Sequence, residues 1–416
     1  MSLANILKDL ELRRKESIDR LFDFLKIKSI STDPAFEKDC REAAIWLQKE
    51  IKILGLKTEL YEQSTHPIVF CVPKKINPKK PTYLFYGHYD VQPADPIHLW
   101  TSNPFEPKII KINGDEVIQA RGASDDKGQL LTFIEACKSV LNVYGELPFN
   151  LKILIEGEEE SGSPSVKDFL QSNRDRVACD YAIICDTGFE QNIPCIYTML
   201  RGEISQKITI TASNSDLHSG IYGGAVTNPI KVLSNIIHKL HDNNARVQIP
   251  GFYDDVIPIN IKLKKEWQLL NFDEDKFLRN IGLETKSGEP GYSLPERLWS
   301  RPSCEITGIS GGYSGDGFKT IIPAKAEASI SFRLVNKQCP NKVRDSFQEF
   351  VRKHLPANCK VVFEGRHGTS PSNVATNSPL ISIAQNALEQ EWGIKPILAG
   401  SGASIPIVTD LKSILN

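Results

Sequence analysis

Four short stretches in the first half of the chain gather side chains able to hold divalent metal ions. They are Gly87-His88-Tyr89-Asp90, Arg121-Gly122-Ala123-Ser124-Asp125-Asp126-Lys127-Gly128, Glu156-Gly157-Glu158-Glu159-Glu160-Ser161-Gly162 and Cys185-Asp186. Each follows an apolar, strand-like run or lies in a glycine-punctuated loop. Together they offer one imidazole and several carboxylates, the donor mix that suits zinc or manganese. A dinuclear site needs one more imidazole, and the last histidine of the chain is His367.

Each stretch also has an ordinary explanation. An isolated His88 reads as a satisfied core histidine. The spacing to Asp90, however, lets that carboxylate accept a hydrogen bond from the ring and fix its tautomer. Asp125 and Asp126 start a helix, where they or Ser124 could simply cap it; the alternative is a carboxylate that bridges two metals. Acidic runs are usually solvated faces. Glu158, Glu159 and Glu160 follow an apolar strand directly. Beside Asp125 and Asp186 they repel one another unless cations neutralise them or one carboxyl keeps its proton. The conjunction favours a metal site, while three successive glutamates leave its register open.

The elements that must position these groups read as strands alternating with helices. Thr82–Tyr86, Leu151–Ile155 and Tyr181–Ile184 suit buried strands. Ile6–Ile27, Arg41–Leu54 and Gly128–Leu141 suit helices, the second ended by Gly55. That alternation predicts an α/β sheet, with ligands just beyond the carboxyl ends of its strands. His88, Glu159, Glu160 and Asp186 fall there. Near Arg201 the character changes. Glu203–Ala212 alternates, Asn228–His241 is helical, Cys304–Ile309 and Ala324–Val335 are strands, Val343–Leu355 is helical, and Lys360–Glu364 is a strand. This order is the split βαβ pattern of a ferredoxin-like α+β domain. A Pro- and charge-rich insertion interrupts it at about 250–303. After Gly368 come a helix (Pro379–Trp392), a strand (Pro396–Ala399) and a helix start at Ser404.

A chain of 416 residues with net charge −1 gives no basic surface for nucleic acid or anionic membrane, and no apolar run is long enough to span a bilayer. The N-terminus is charged and helix-like rather than a signal peptide. Nine cysteines, odd in number and without a C-x-x-C pair, read as reduced thiols of a cytoplasmic protein. Cys185 reads as core packing beside Asp186.

From about Phe22 onward the chain resembles the M20 family of metallopeptidases, within it the cytosolic non-specific dipeptidase and carnosinase-like branch. The motifs that carry the resemblance are Gly87-His88-Tyr89-Asp90-Val91-Gln92-Pro93, Arg121 to Gly128, Glu156 to Ser163, Asp216-Leu217-His218-Ser219-Gly220, Ser331-Phe332-Arg333-Leu334-Val335 and Gly402-Ala403-Ser404-Ile405-Pro406. The resemblance implies an α/β catalytic domain of the zinc-exopeptidase type, with a mixed sheet flanked by helices. It has an inserted ferredoxin-like lid and dimerisation domain. The expected division is residues 1–199 and 373–416 for the catalytic domain and 200–372 for the lid. The resemblance implies that His88, Asp125 and Asp186 hold one zinc or manganese ion, and that Asp125 bridges to a second at Glu160. Ser161-Gly162-Ser163 then sets the register, which makes Glu159 the general base and leaves Glu158 an extra acid; Asp90 supports His88. His218 would reach the other subunit of a homodimer and stabilise an oxyanion there. Arg333 would clamp the terminal carboxylate of a dipeptide or short peptide, with His367 and Ser404 as further substrate contacts. Water activated by the metals attacks the peptide carbonyl, and Glu159 takes its proton and passes it to the leaving amine.

Family members continue for some tens of residues past the Ser404-Ile405-Pro406 motif, into a segment with a final metal-binding histidine. The expectation is therefore a truncated second catalytic segment and an incomplete second metal site, with His98 and His367 the available stand-ins. Two other readings stand beside the dipeptidase: a deacylase of N-acyl amino acids, and an impaired member that binds one metal. The Glu156-Gly157 lead-in, the insertion and the context of Arg333 favour the dipeptidase branch.

Overall fold

The computed structural model describes residues 2–62, 65–112, 114–365 and 368–415. The chain forms two compact units. One runs to Thr187 and resumes at Pro406; the other is Gly188–Ile405.

In the first unit, apolar runs become a five-stranded mixed sheet in the order Lys57–Tyr61, Ile68–Val72, Asn150–Glu156, Thr82–His88 and Tyr181–Ile184. The last three strands run parallel. Asn150–Glu156 is buried along its whole length, as a central strand covered on both faces must be. The helices Glu37–Lys52 and Lys127–Tyr144 supply Leu47, Ile51, Leu130 and Ile134 to the core, against Val69, Phe85 and Ile153. The first two strands have no alternation strong enough to read from sequence. Nor does the exposed hairpin Lys108–Ile112 and Asp115–Gln119.

The N-terminal helix expected over Ile6–Ile27 is two helices, Leu3–Leu12 and Arg14–Lys26, broken at Arg13. The break serves a contact far along the chain. Arg13 Nη1 donates to Glu135 Oε2 at 3.2 Å and Nη2 to Ser139 Oγ at 2.7 Å. Arg20 grips both oxygens of Glu135 at 2.9 and 2.7 Å, Ser17 donates at 2.9 Å, and Lys138 lies 3.2 Å away. Burial pushes the Glu135 carboxyl up, but the Arg20 hydrogen bonds, the Lys138 charge and Ser17 outweigh it and hold it down to about 2.

In the second unit, Ser303–Gly311, Lys325–Leu334, Gly202–Thr211 and Lys360–Gly365 pair antiparallel in that order. In chain order this is the ferredoxin-like arrangement, with helices Pro229–His238 and Pro340–Lys353 between strands. Strict alternation in Gly202–Thr211 sends Ile204, Ile208 and Ile210 into a core with Leu233, Ile236, Phe347 and Val351. A second, three-stranded sheet joins Ser372–Asn373, Cys195–Leu200 and Ile397–Ser401. The segment expected as an insertion is folded onto that sheet. Trp267 and Trp299 share a core with Leu398 and Ala399, and Trp267 Nε1 donates to Leu398 O at 2.8 Å.

Replacing Glu135 by Ala leaves Arg20, Arg13 and Lys138 without their shared acceptor and should cost about 3 kcal/mol. Because the folded-state pKa lies below the ordinary 4.5, the stabilisation is complete above pH 4.5 and is lost as pH falls toward 2. Urea unfolding of wild type and Glu135→Gln across that window should show the stability gap closing.

Candidate metal centre

His88 is the last residue of its strand, and register places its neighbours. It pairs with Glu156 on one side. On the other, Tyr86 pairs with Ile184, and two residues further the same register brings Asp186 level with His88. Glycine is needed at Gly87, where a Cβ would stand 2.8 Å from Asp126 Oδ2.

The His88 ring is fully buried. Its Nδ1 lies 3.1 Å from Asp90 O and 3.3 Å from Asp90 Oδ1, partners that place the ring proton on Nδ1. Nε2 then presents its lone pair 3.1 Å from Asp125 Oδ1 and 3.8 Å from Asp186 Oδ1, and it has no hydrogen-bond partner. One ligand atom from each of His88, Asp125 and Asp186 lies within 4.8 Å of the others. An orphaned, buried imidazole nitrogen facing two carboxylates is a fit for one divalent cation. The charge balance agrees. Burial opposes a charged ring, yet Asp125, Asp186 and Asp90 raise the His88 pKa well above its ordinary value. The pocket therefore favours positive charge beside Nε2, which a divalent cation held by His88, Asp125 and Asp186 would supply.

Asp90 organises the acidic loop as well. Its Oδ2 accepts the Ser31 hydroxyl at 2.6 Å and the Glu160 amide at 3.0 Å, and its Oδ1 accepts the Glu159 amide at 3.3 Å. The three glutamates diverge. Glu158 is buried and turned away, accepting from the amides of His66 and Ser165 and from the Ser165 hydroxyl at 3.0–3.1 Å. Glu159 and Glu160 begin a single 3-10 turn, Glu159–Ser161. Burial, with Asp186 and Glu160 nearby, pushes Glu159 up to about 7. Glu160 is held by Gln92, whose Nε2 donates to Oε2 at 2.8 Å, and burial together with Asp125 raises its pKa. Glu159 and Glu160 lie outside the tight group of His88, Asp125 and Asp186.

The capping explanation of the Asp pair does not hold. Asp126 stands at the N-cap of the helix Lys127–Tyr144 without a side-chain capping bond, and the peptide joining it to Asp125 is cis. Its Oδ2 accepts the His88 amide at 3.2 Å, its Oδ1 has no partner, and burial with Asp186 pushes it up to about 8. Asp125 faces His88, and despite burial its pKa is lowered, chiefly by the close approach of the His88 ring. Cys185 packs with the core and Asp186 alone of that pair joins the metal group.

The remaining candidates lie in the second unit or outside the group. His218 ends the two-residue strand Leu217–His218, caps the turn Ser219–Tyr222 by accepting from the Gly220 amide at 3.1 Å, and has Nε2 3.4 Å from Thr320 Oγ1. Arg333 Nη1 is 3.0 Å from Glu203 Oε2 and 3.4 Å from Ser404 Oγ, so two expected substrate contacts meet. His98 is exposed in the short helix Ile97–Leu99 and is not part of the metal group. His367 lies outside the described residues. Sequence reasoning missed Ser31 and Gln92. Gln92 lies two residues beyond Asp90 and could have been suspected; Ser31 has no local signal.

Residues 84–416 match the model of peptidase family M20/M25/M40. The chain belongs to this family. As an M20 peptidase it is 30% identical to the Cys-Gly metallodipeptidase DUG1 of Candida albicans, over 98% of this chain and 87% of that protein. It is 26% identical to the Beta-Ala-His dipeptidase of Rattus norvegicus, over 99% and 87%. Its fold matches the M20 family metallo-carboxypeptidase Sso-CP2 of Sulfolobus solfataricus with a TM-score of 0.84 and 32% identity, over 96% of this chain and 89% of that one. The α/β unit with a mixed sheet and the ferredoxin-like insertion are the architecture of this peptidase family.

Asp90→Asn in this M20 peptidase places an amide where the Glu159 and Glu160 amides need an acceptor. Zinc affinity measured by calorimetry should fall roughly 10–100-fold with the circular-dichroism spectrum retained. Unchanged affinity would mean that Asp90 does not orient the ligands.

Proposed function

We propose that this chain hydrolyses the peptide bond of dipeptides or short peptides in a metal-dependent reaction. The observation that carries the reading is the orphaned Nε2 of His88 facing Asp125 and Asp186, with Glu159 poised nearby at about 7. The names of the relatives, two of them metal- or dipeptide-directed peptidases, support it. His88, Asp125 and Asp186 would hold one zinc or manganese ion, and Asp125 with Glu160 would contribute to a second. When bound, the ions lower the pKa of water and polarise the scissile carbonyl.

The chain's own residues do the rest. Glu159 takes a proton from the attacking water and delivers it to the leaving amine; a base near neutrality is suited to both directions. Asp90 keeps His88 in the metal-binding tautomer. Arg333, with Ser404 beside it, holds the substrate's terminal carboxylate, a task that suits a planar guanidinium. His218 donates to the developing oxyanion from a second copy of the chain, and His367 is a further substrate contact.

The segment 200–372, which contains the ferredoxin-like sheet, would serve as lid and dimerisation domain, and 1–199 with 373–416 as catalytic domain. Support for a homodimer comes from the edge strand Ser303–Gly311. Among the described residues it has no outer neighbour in the sheet, and it exposes Ile306 and Ile309. Nine free cysteines support a reducing, cytoplasmic setting, and no helix among the described residues is long and apolar enough to cross a membrane.

Purified protein given zinc or manganese should cleave free dipeptides and lose that activity to a chelator. Glu159→Gln should lower kcat about 10²–10⁴-fold while its metal content, by elemental analysis, stays the same. Cleavage of N-acyl amino acids in place of dipeptides would overturn the reading. For the dimer, Ile309→Asp should shift the mass measured by light scattering toward one chain.

A further inference from the structure

The strap Val91-Gln92-Pro93-Ala94 follows Asp90 directly. It supplies no metal ligand, yet it is tied to both loops that carry the carboxylates of a second metal site. Its start is packed against the loop of Asp125. The Val91 amide donates to Ser29 O at 2.9 Å, and a Cβ on Gly122 would stand 2.8 Å from Val91 Cγ1. Pro93 disposes Gln92, the residue before it, to an extended backbone. Gln92 Nε2 then donates to Glu160 Oε2 at 2.8 Å and to Glu160 O at 3.2 Å. Pro93 O accepts from Arg121 Nη2 at 3.0 Å, and Ala94 O from Trp100 Nε1 at 2.8 Å. The Arg121 guanidinium lies 5.3 Å from the Trp100 ring centroid, so the two anchors also brace each other.

Glu160 is thereby held at three points. Asp90 Oδ2 accepts its amide at 3.0 Å, and Gln92 engages its carbonyl and one carboxylate oxygen. Among the described residues no hydrogen bond reaches its other oxygen, Oε1, which is left for a cation. A free glutamate side chain must be ordered as a metal binds, at a cost in rotamer entropy. A glutamate already held has met that cost, and affinity gains by it. The holding group is a neutral amide. A lysine or arginine could donate as well, but its charge would repel the ion. The Gln92 bond is exposed, so losing it leaves no buried group unpaired and costs the fold little.

We propose that Gln92 is a positioning residue for the second metal: it presets Glu160 as a one-oxygen ligand, and the strap that carries it fixes Glu160 against the loop of Asp125. The inference rests on the reading of Asp125 and Glu160 as ligands of a second ion. Gln92 forms no hydrogen bond with His88, Asp125 or Asp186, so its effect is confined to that second ion.

The test titrates the metal-free full chain with manganese by calorimetry and counts the bound metal by elemental analysis. The wild type should take up two equivalents, the second more weakly. Gln92→Met keeps the length of the side chain and discards the donor. It should weaken the second equivalent roughly 10–100-fold and leave the first equivalent and the Tm unchanged. Trp100→Phe loosens the strap without touching Glu160, and it should weaken the second equivalent by a smaller factor. Equal weakening of both equivalents, as a merely structural role would give, or no weakening of the second by Gln92→Met, would overturn the proposal. Glu160→Gln tests the underlying reading by itself. If it leaves the second equivalent intact, Glu160 is not a ligand, and the inference falls with that reading whatever Gln92→Met does.

Discussion

The buried carboxylate of Asp90 is the constraint on which the metal centre depends. It sits where three segments meet and carries a hydrogen bond or ion pair to each: Ser31 from the N-terminal region, the ring of His88, and the amides of Glu159 and Glu160. A charged acceptor for two successive amides and a hydroxyl is well satisfied, so its burial is tolerable. The same bonds decide which nitrogen of His88 faces the ligands and where the acidic turn lies. Ligand geometry and loop geometry are therefore not independent variables in this site. Both are read off one group.

The second organising fact is an excess of acid. His88, Asp125, Asp126, Asp186, Glu156, Glu159 and Glu160 crowd the ends of three parallel strands. Part of that excess is relieved by protons: burial pushes Asp126 and Glu156 up to about 8, and Glu156 still accepts from Tyr86 and Ser163 at 2.6 and 3.0 Å. A divalent cation relieves it further and lowers the neighbouring pKa values as it does so. Full ionisation of this cluster without a cation is therefore disfavoured.

Much of the fold was legible because strands and helices here follow their periods. The three parallel strands and the split βαβ order were visible in apolar runs and in the alternation of Glu203–Ala212 and Ala324–Val335. What was not legible depended on partners far away in sequence. The break at Arg13 answers to Glu135 and Ser139, more than a hundred residues on. The three glutamates cannot be told apart locally, since Glu158 is turned inward by His66 and Ser165. Trp267 and Trp299 lie in a stretch whose Pro and charge content reads as an insertion, yet they complete a core. For the site, the strand ends placed His88 and Asp186, and the family resemblance singled out Asp125, which the structure brings beside them. The positions of Ser31 and Gln92 follow from packing that no motif encodes.

Lys127 immediately follows the Asp125-Asp126 pair, and its fully buried ammonium donates to Phe24 O at 3.1 Å and Ile27 O at 2.7 Å, at the end of the helix Arg14–Lys26. The helix that begins at Lys127 has 18 residues, about 27 Å of rigid rod. The same N-terminal segment grips that rod again at Glu135. The first two dozen residues are therefore a splint fixed at two points to the helix that begins at the Asp125-Asp126 loop. A fusion partner or a trimmed start would be felt as loosened geometry at the metal centre, although among the described residues none before Ser31 forms a hydrogen bond or ion pair with His88, Asp90, Asp125 or Asp186.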